Sequence, residues 1–248
     1  MIDKIKNVLG LSLSLSKANF RVRNEGSYLG VLWYLLDPLL LFLILLAIFS
    51  GRLGIENYPI YLLVGLVMYN LFSGVTSQSV DVIANSAGFI KSTKIRYEPL
   101  VISNLLQFIY THIIEIVVLA AFMVYYGMPL NFLIFYPFLL VVYCVFILGF
   151  SFVLATIGVY VNDMRNVWVV VVRLIWFATP IFYTLDKASL LFMLNPLAHF
   201  ISVGRDLIIA QQVPSILTIL SLLLLSVVSL IIGLLVFSSF KKNFAERV

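Results

Sequence analysis

The chain reads as an all-α polytopic membrane protein, and three observations lead there. Hydrophobic residues make up 62% of the sequence and charged ones only 11%, whereas a soluble domain uses about 25% charged residues to cover its wet surface. The mean hydropathy is +1.11. Apolar runs long enough to cross a bilayer, which takes about 20 residues, recur along the whole chain and leave no room for a soluble catalytic domain. The 248 residues are therefore expected to form one transmembrane domain, with an interfacial helix at 1–30 and a six-span bundle over 31–240.

The elements follow in order. Met1–Gly26 spaces Ile2, Ile5, Val8, Leu9, Leu13, Leu15 and Phe20 among lysines, arginines and serines. That pattern suits a helix lying in the membrane interface with its basic residues near anionic headgroups. No small-residue cleavage pattern follows a short apolar core, so the first span is expected to serve as signal and anchor. The spans are read as Val31–Gly51, Tyr58–Val80, Leu100–Tyr126, Phe132–Val161, Val167–Leu185 and Ser215–Phe240. The fourth is long enough to tilt or to run partly along the interface. Pro59 and Pro99 stand at span starts, where the missing backbone donor costs nothing. Between spans five and six, the stretch 186–214 is too broken for two crossings and too apolar for water. Leu190–Leu194, then Asn195-Pro196, then Leu197–Ile209 predict two short re-entrant helices on the outer side, buried in protein.

Basic residues set the orientation. Lys4, Lys6, Lys17, Arg21, Arg23, Lys91, Lys94, Arg96, Arg165, Lys241, Lys242 and Arg247 fall on the side that holds both termini. Only Arg52, Lys187 and Arg205 fall on the other. Twelve against three places both termini and the 81–99 and 162–166 loops in the cytoplasm.

Catalytic chemistry finds little to hold. Lys91-Ser92 follows Ile90 rather than the glycine that lets backbone amides cradle phosphate, so Gly88–Thr93 is no phosphate loop. His112 and His199 have no ligand partner at metal spacing, and Asp81, Glu98 and Asp163 are scattered. The single cysteine, Cys144, excludes a disulfide framework and reads as a small buried or lipid-facing residue. If this protein works with ATP, another chain must hydrolyse it.

Polar residues inside spans carry the information instead. His112 and Glu115 are three apart on one helical face and read as a pair that fixes packing. Arg173, about two turns into span five beside Trp176 and Phe177, either pairs with a carboxylate or faces a wet cavity. Asp37 precedes Pro38 at the inner end of span one. Trp168, Trp176, Phe177, Phe182, Tyr183, Phe192 and Phe200 crowd span five and the segment after it, and Trp33 and Tyr34 open span one. An interfacial belt accounts for Trp33, Tyr34 and Trp168. Trp176 and Phe177 lie too deep for a belt and are either core or the lining of a path for sugar rings.

Five stretches in order carry a family resemblance: Leu29-Gly30-Val-Leu-Trp33 with Pro38; Gly65-Leu-Val-Met-Tyr69-Asn70-Leu-Phe72; Asn85-Ser-Ala-Gly88-Phe89-Ile90-Lys91; Thr179-Pro180-Ile-Phe-Tyr183; and Asn195-Pro196 followed by Arg205. Across nearly its whole length the chain resembles the ABC-2 type permeases that export lipid-linked polysaccharides, above all the O-antigen permeases of bacteria. The resemblance implies a multi-pass permease of the bacterial inner membrane, working as a homodimer with two copies of a separate ATP-binding subunit. That subunit would bind ATP and Mg, with no cofactor in this chain. It also implies a cytoplasmic coupling helix at 84–97, with Phe89, Ile90, Lys91, Lys94, Arg96 and Tyr97 facing the ATPase. Trp33, Tyr34, Arg173, Trp176, Phe177, Phe182, Tyr183 and Arg205 are the expected substrate path. The chain departs from its relatives where Arg96 stands in place of a frequent proline, and where Asn162-Asp163 stands in place of Arg-Asp. Permeases for teichoic acid, capsule or a small lipid or drug are the rival readings within the family. A membrane enzyme acting on polyprenyl phosphate is the rival outside it, and would require clustered aspartates or histidines.

Overall fold

A computed structural model describes every residue except 1, 26–29, 31–32, 94–95, 187–188 and 248, and among the described residues it holds helices and turns but no strand. The order is α1 (Ile2–Asn24), α2 (Trp33–Phe49), α3 (Tyr58–Asp81), a 3-10 turn (Ala84–Ser86), α4 (Ala87–Thr93), α5 (Glu98–Tyr125), a 3-10 turn (Asn131–Phe135), α6 (Tyr136–Tyr160), α7 (Met164–Ala178), α8 (Leu190–Leu194), α9 (Pro196–Ile208), α10 (Ile216–Phe240), a 3-10 turn (Lys241–Asn243) and α11 (Phe244–Arg247). Prolines occupy the first turns of α3, α5, α6 and α9, where a helix has no use for the lost donor.

Among the described residues, four helical stretches are long and apolar enough to cross a membrane: Tyr58–Asp81, Glu98–Tyr125, Asn131–Tyr160 and Ile216–Asn243. The other two expected spans are shorter. α2 has 17 residues, a rise of about 26 Å, and α7 has 15, about 22 Å. The fifth apolar run does not stay helical to Leu185. Pro180 disfavours the helical conformation for the residue before it, and Thr179 is extended at φ −97° and ψ 133°.

α3 is the central helix. Ile60, Val64 and Val75 are fully buried, and α5, α6, α7, α2 and α9 pack around it. Lipid tails are as apolar as leucine, so helices in a bilayer associate through close packing and polar contacts rather than water exclusion. The joint between α6 and α10 follows that rule. A Cβ at Gly149 would lie 2.3 Å from the Ser229 backbone, and one at Gly233 would lie 2.3 Å from the Gly149 carbonyl. Ser229 donates across the joint to the Phe146 carbonyl at 3.0 Å. Gly158 packs in the same way on the Val80 carbonyl of α3.

α1 lies along α5 by its serines. Ser12 and Ser16 are fully buried, each hydroxyl satisfied by a carbonyl one turn back, and Phe20 meets Tyr110 edge-on. Leu9 and Leu13 point outward.

One end of the bundle gathers the chain's basic residues. Lys241 pairs with Glu98 at 2.6 Å, Arg165 with Asp81 at 3.4 Å, and Tyr97 packs edge-on against Phe244. Beneath these lies a second apolar cluster of Ile83, Ile90, Val101, Phe152, Phe237 and Phe244. The opposite end carries α8 and α9, which start from Ser189 and Asn195 side-chain caps. Trp168 is only 7% exposed within the main core, so it is no interfacial belt residue; α7 turns its second-turn indole inward.

Candidate coupling surface and translocation path

The expected 84–97 helix is shorter than the sequence suggests. A 3-10 turn leads into the seven-residue α4, and the backbone is irregular at Arg96 and Tyr97 before α5 begins. The two apolar residues of its centre part ways. Ile90 is 7% exposed and seated in the second cluster, while Phe89 is 39% exposed on the outer side. Lys91 and Arg96 are exposed beside it; Lys94 lies outside the described residues. Tyr97 is half-buried and tied to α11 through Phe244. Ile90 therefore anchors the segment to the ends of α5, α6 and α10, and Phe89 and the cations form its open face.

On α7, Val167, Val170, Arg173, Leu174 and Phe177 are all exposed. Their three- and four-residue spacing puts them on one face. Among the described residues no carboxylate lies within ion-pair distance of Arg173, so the pairing alternative finds no partner among them. At the far end of α7 the aromatics form a continuous set. Trp176 stacks on Phe182 with centroids 5.1 Å apart and meets Phe177 edge-on at 4.9 Å. Phe182 meets Tyr183 at 5.0 Å and Phe49 of α2 at 5.3 Å. The Tyr183 hydroxyl donates back to the Phe177 carbonyl at 2.6 Å. Trp33 is 53% exposed at the start of α2, far along the chain from this set. The Tyr34 side chain lies outside the described residues.

Arg205 is placed differently from Arg173. It is 8% exposed, and its guanidinium donates to the carbonyls of Tyr61 at 3.2 Å, Pro180 at 2.7 Å and Ile181 at 2.8 Å. Its charged carbon stands 3.4 Å from the Tyr61 ring centroid. Gly65 makes this possible, since a Cβ there would lie 2.8 Å from both Arg205 Nη2 and the Ile181 carbonyl. Around the same turn, the hydroxyls of Tyr58 and Tyr61 donate to the Phe182 and Tyr183 carbonyls. Asn195 Nδ2 donates to Thr179 Oγ1 at 2.8 Å. The irregular 179–183 backbone pairs with itself only through the Ile181 N–H to the Thr179 carbonyl at 2.7 Å; α3 and α9 side chains satisfy its other carbonyls, as backbone at membrane depth requires. Arg205 holds this turn in place. Tyr58, Tyr61 and Gly65 were not singled out for it from sequence, because partners more than 100 residues away leave no local signal.

A further polar set lies in the middle of the bundle. His112 Nδ1 is 3.4 Å from Glu115 Oε2, His112 Nε2 is 2.9 Å from the Tyr136 hydroxyl, and Asn70 donates to Glu115 Oε1 at 3.3 Å. The pair expected within α5 reaches both α6 and α3. Among the described residues no group of three or more His, Cys, Asp or Glu residues is placed to hold a metal.

The fold and these surfaces define an integral membrane protein built of apolar helices, with a basic end. Residues 11–209 match the family described as ABC-2 type transporter, and the chain belongs to that family. It is similar to the O-antigen export system permease protein RfbA of Myxococcus xanthus, with 26% identity over 100% of this chain and 99% of the relative. The RfbA permease of Klebsiella pneumoniae is 29% identical, covering 98% of both chains. The polysialic acid transport protein KpsM of Escherichia coli is 23% identical over 86% of this chain and 87% of its own.

Proposed function

We propose that this chain is the membrane subunit of an ABC exporter that carries lipid-linked polysaccharide of the O-antigen type across the bacterial inner membrane. The observation that carries the reading is similarity over essentially the full length of both chains to permeases named for O-antigen export. In this reading α2 and α7 join the four long helices as short crossings. α8 and α9 re-enter from the outer side, and both termini are cytoplasmic, in line with the basic residues at one end. A capsule-type polymer is the second cargo, favoured by the similarity to proteins named for polysialic acid transport.

The α7 face supports a homodimer around a channel. A guanidinium turned to hydrocarbon is costly, about 2.5–3.5 kcal/mol by insertion scales. A second copy facing the first would enclose Arg173 and Phe177 in a wet lumen where the charge is solvated. The ring set of Trp176, Phe177, Phe182 and Tyr183 then offers apolar faces along which sugar rings slide. Trp33 and Tyr34 would lie at the channel's cytoplasmic mouth. Arg205, which holds the 179–183 turn beneath these rings, acts on the path by positioning it.

Work comes from two copies of a partner ATPase that bind ATP and Mg. Phe89, Lys91, Lys94 and Arg96 would seat in it, with Tyr97 and Ile90 behind them. A push on α4 reaches α5, α6 and α10 through Ile90, because that side chain is packed among Val101, Phe152 and Phe237. The test is deletion of the gene with complementation. Loss of surface polysaccharide with lipid-linked glycan retained on the cytoplasmic leaflet is expected, and the retained glycan names the cargo. ATPase activity should appear only when permease and partner are purified together. Unchanged surface polysaccharide in the deletion strain overturns the reading.

A further inference from the structure

At the basic end, an open cleft of about 530 Å³ lies between α1, α3, α5 and α7. Its floor exists because of Gly74. A Cβ there would come within 2.5 Å of the Phe108 ring, which lies flush against α3. One wall is Trp168, and its Nε1–H is buried without an acceptor among the described residues. A buried donor left unpaired is unfavourable, and a ligand oxygen in the cleft would satisfy it.

Two guanidinium groups reach the same space from opposite helices. Arg23 of α1 donates to Gln78 at 3.5 Å and lies 5.1 Å from the Phe108 ring centroid. Arg165, one turn before Trp168 on α7, meets Asp81 only through Nε. Among the described residues its two Nη groups have no acceptor. Asp81 is the one carboxylate in the lining against these two cations, so the cleft is net positive. Ser77 and Asn85 add neutral donors at the rim. Paired guanidinium forks with neutral donors suit the oxygens of a phosphate, and the adjoining half-buried Phe108 ring suits an alkyl chain leaving it.

We propose that this cleft binds the phosphate headgroup of a lipid, with Arg23 and Arg165 as counter-charges and Trp168 Nε1–H as a directed donor. The phosphate comes either from the lipid carrier of the exported glycan, which rests on the export reading above, or from a bilayer phospholipid. The site would hold the charge at the cytoplasmic face while the glycan enters the channel.

The test uses the full chain with its partner ATPase in nanodiscs of zwitterionic lipid, titrated with a polyprenyl diphosphate and with the uncharged polyprenol. The diphosphate is expected to bind at least about tenfold more tightly, a ratio set by charge-assisted hydrogen bonds. R23Q/R165Q should lose about tenfold of that affinity, and W168F, which keeps the ring and deletes the N–H, roughly fivefold. Lys242→Gln, outside the cleft, should bind as wild type. R165Q alone alters an exposed side chain and keeps the test open if the double variant misfolds. Competition by phosphatidylglycerol at equal concentration assigns the site to bilayer lipid; its failure to compete assigns it to the carrier. Equal binding of diphosphate and polyprenol, or wild-type diphosphate affinity in R165Q and W168F, overturns the proposal. A cleft that binds diphosphate in a protein whose deletion leaves surface polysaccharide unchanged keeps the site and overturns only the export reading.

Discussion

Arg205→Met separates a holding role from a substrate contact. Methionine keeps much of the side-chain volume and removes all three donors. Among the described residues, the Pro180 and Ile181 carbonyls have no other donor, while the Tyr61 carbonyl also sits in the α3 ladder. Two orphaned buried acceptors cost about 1–3 kcal/mol each, and loss of the ring contact removes roughly 1–2 kcal/mol more. Methionine also relieves the cost of burying a charge, which returns part of the loss. The net destabilisation is about 3–5 kcal/mol. At about 2–4 °C per kcal/mol for a chain of this size, apparent Tm should fall by roughly 10 °C. Scans at a single heating rate in one detergent would measure it, because irreversible unfolding makes Tm rate-dependent. Arg205→Lys keeps the charge but not the planar fork and should fall between the two. Wild-type Tm in Arg205→Met together with lost export would refute the argument and return Arg205 to the substrate path.

The remaining predictions follow from how the structure divides neighbouring residues. Phe89→Asp should leave the permease folded, and its complex with the ATPase should hydrolyse ATP without exporting glycan. Ile90→Asp buries a charge in the second cluster and should instead abolish folded protein, seen as loss of the monodisperse peak in size exclusion; the reverse pattern would show that α4 is turned the other way. Arg173→Met removes an exposed charge, so Tm should hold within about 2 °C while surface polysaccharide is lost. A large fall in Tm would place Arg173 in a packing contact. Gly149→Val drives two methyls into the Ser229 backbone of α10, and overpacking of this kind costs about 1–3 kcal/mol or more; Tm unchanged by that substitution would show that the α6–α10 joint is looser than described.

Much of the architecture was legible from residue order because bilayer physics writes it locally. Apolar runs, first-turn prolines such as Pro59 and Pro99, and the clustering of Lys91, Arg96, Arg165 and Lys241 at one end each follow from short-range sequence. The five motif stretches likewise pointed to the family. What the chain could not disclose by itself is which side of each helix meets protein. In a membrane, lipid and core are equally apolar, so hydropathy does not separate buried Ile90 from open Phe89. Nor does it separate inward Trp168 from a belt tryptophan, or locked Arg205 from exposed Arg173. Those assignments depend on contacts across many residues, such as Tyr61 with Arg205, Asn70 with Glu115 and Phe108 with Gly74. Only the packed helices bring those partners together.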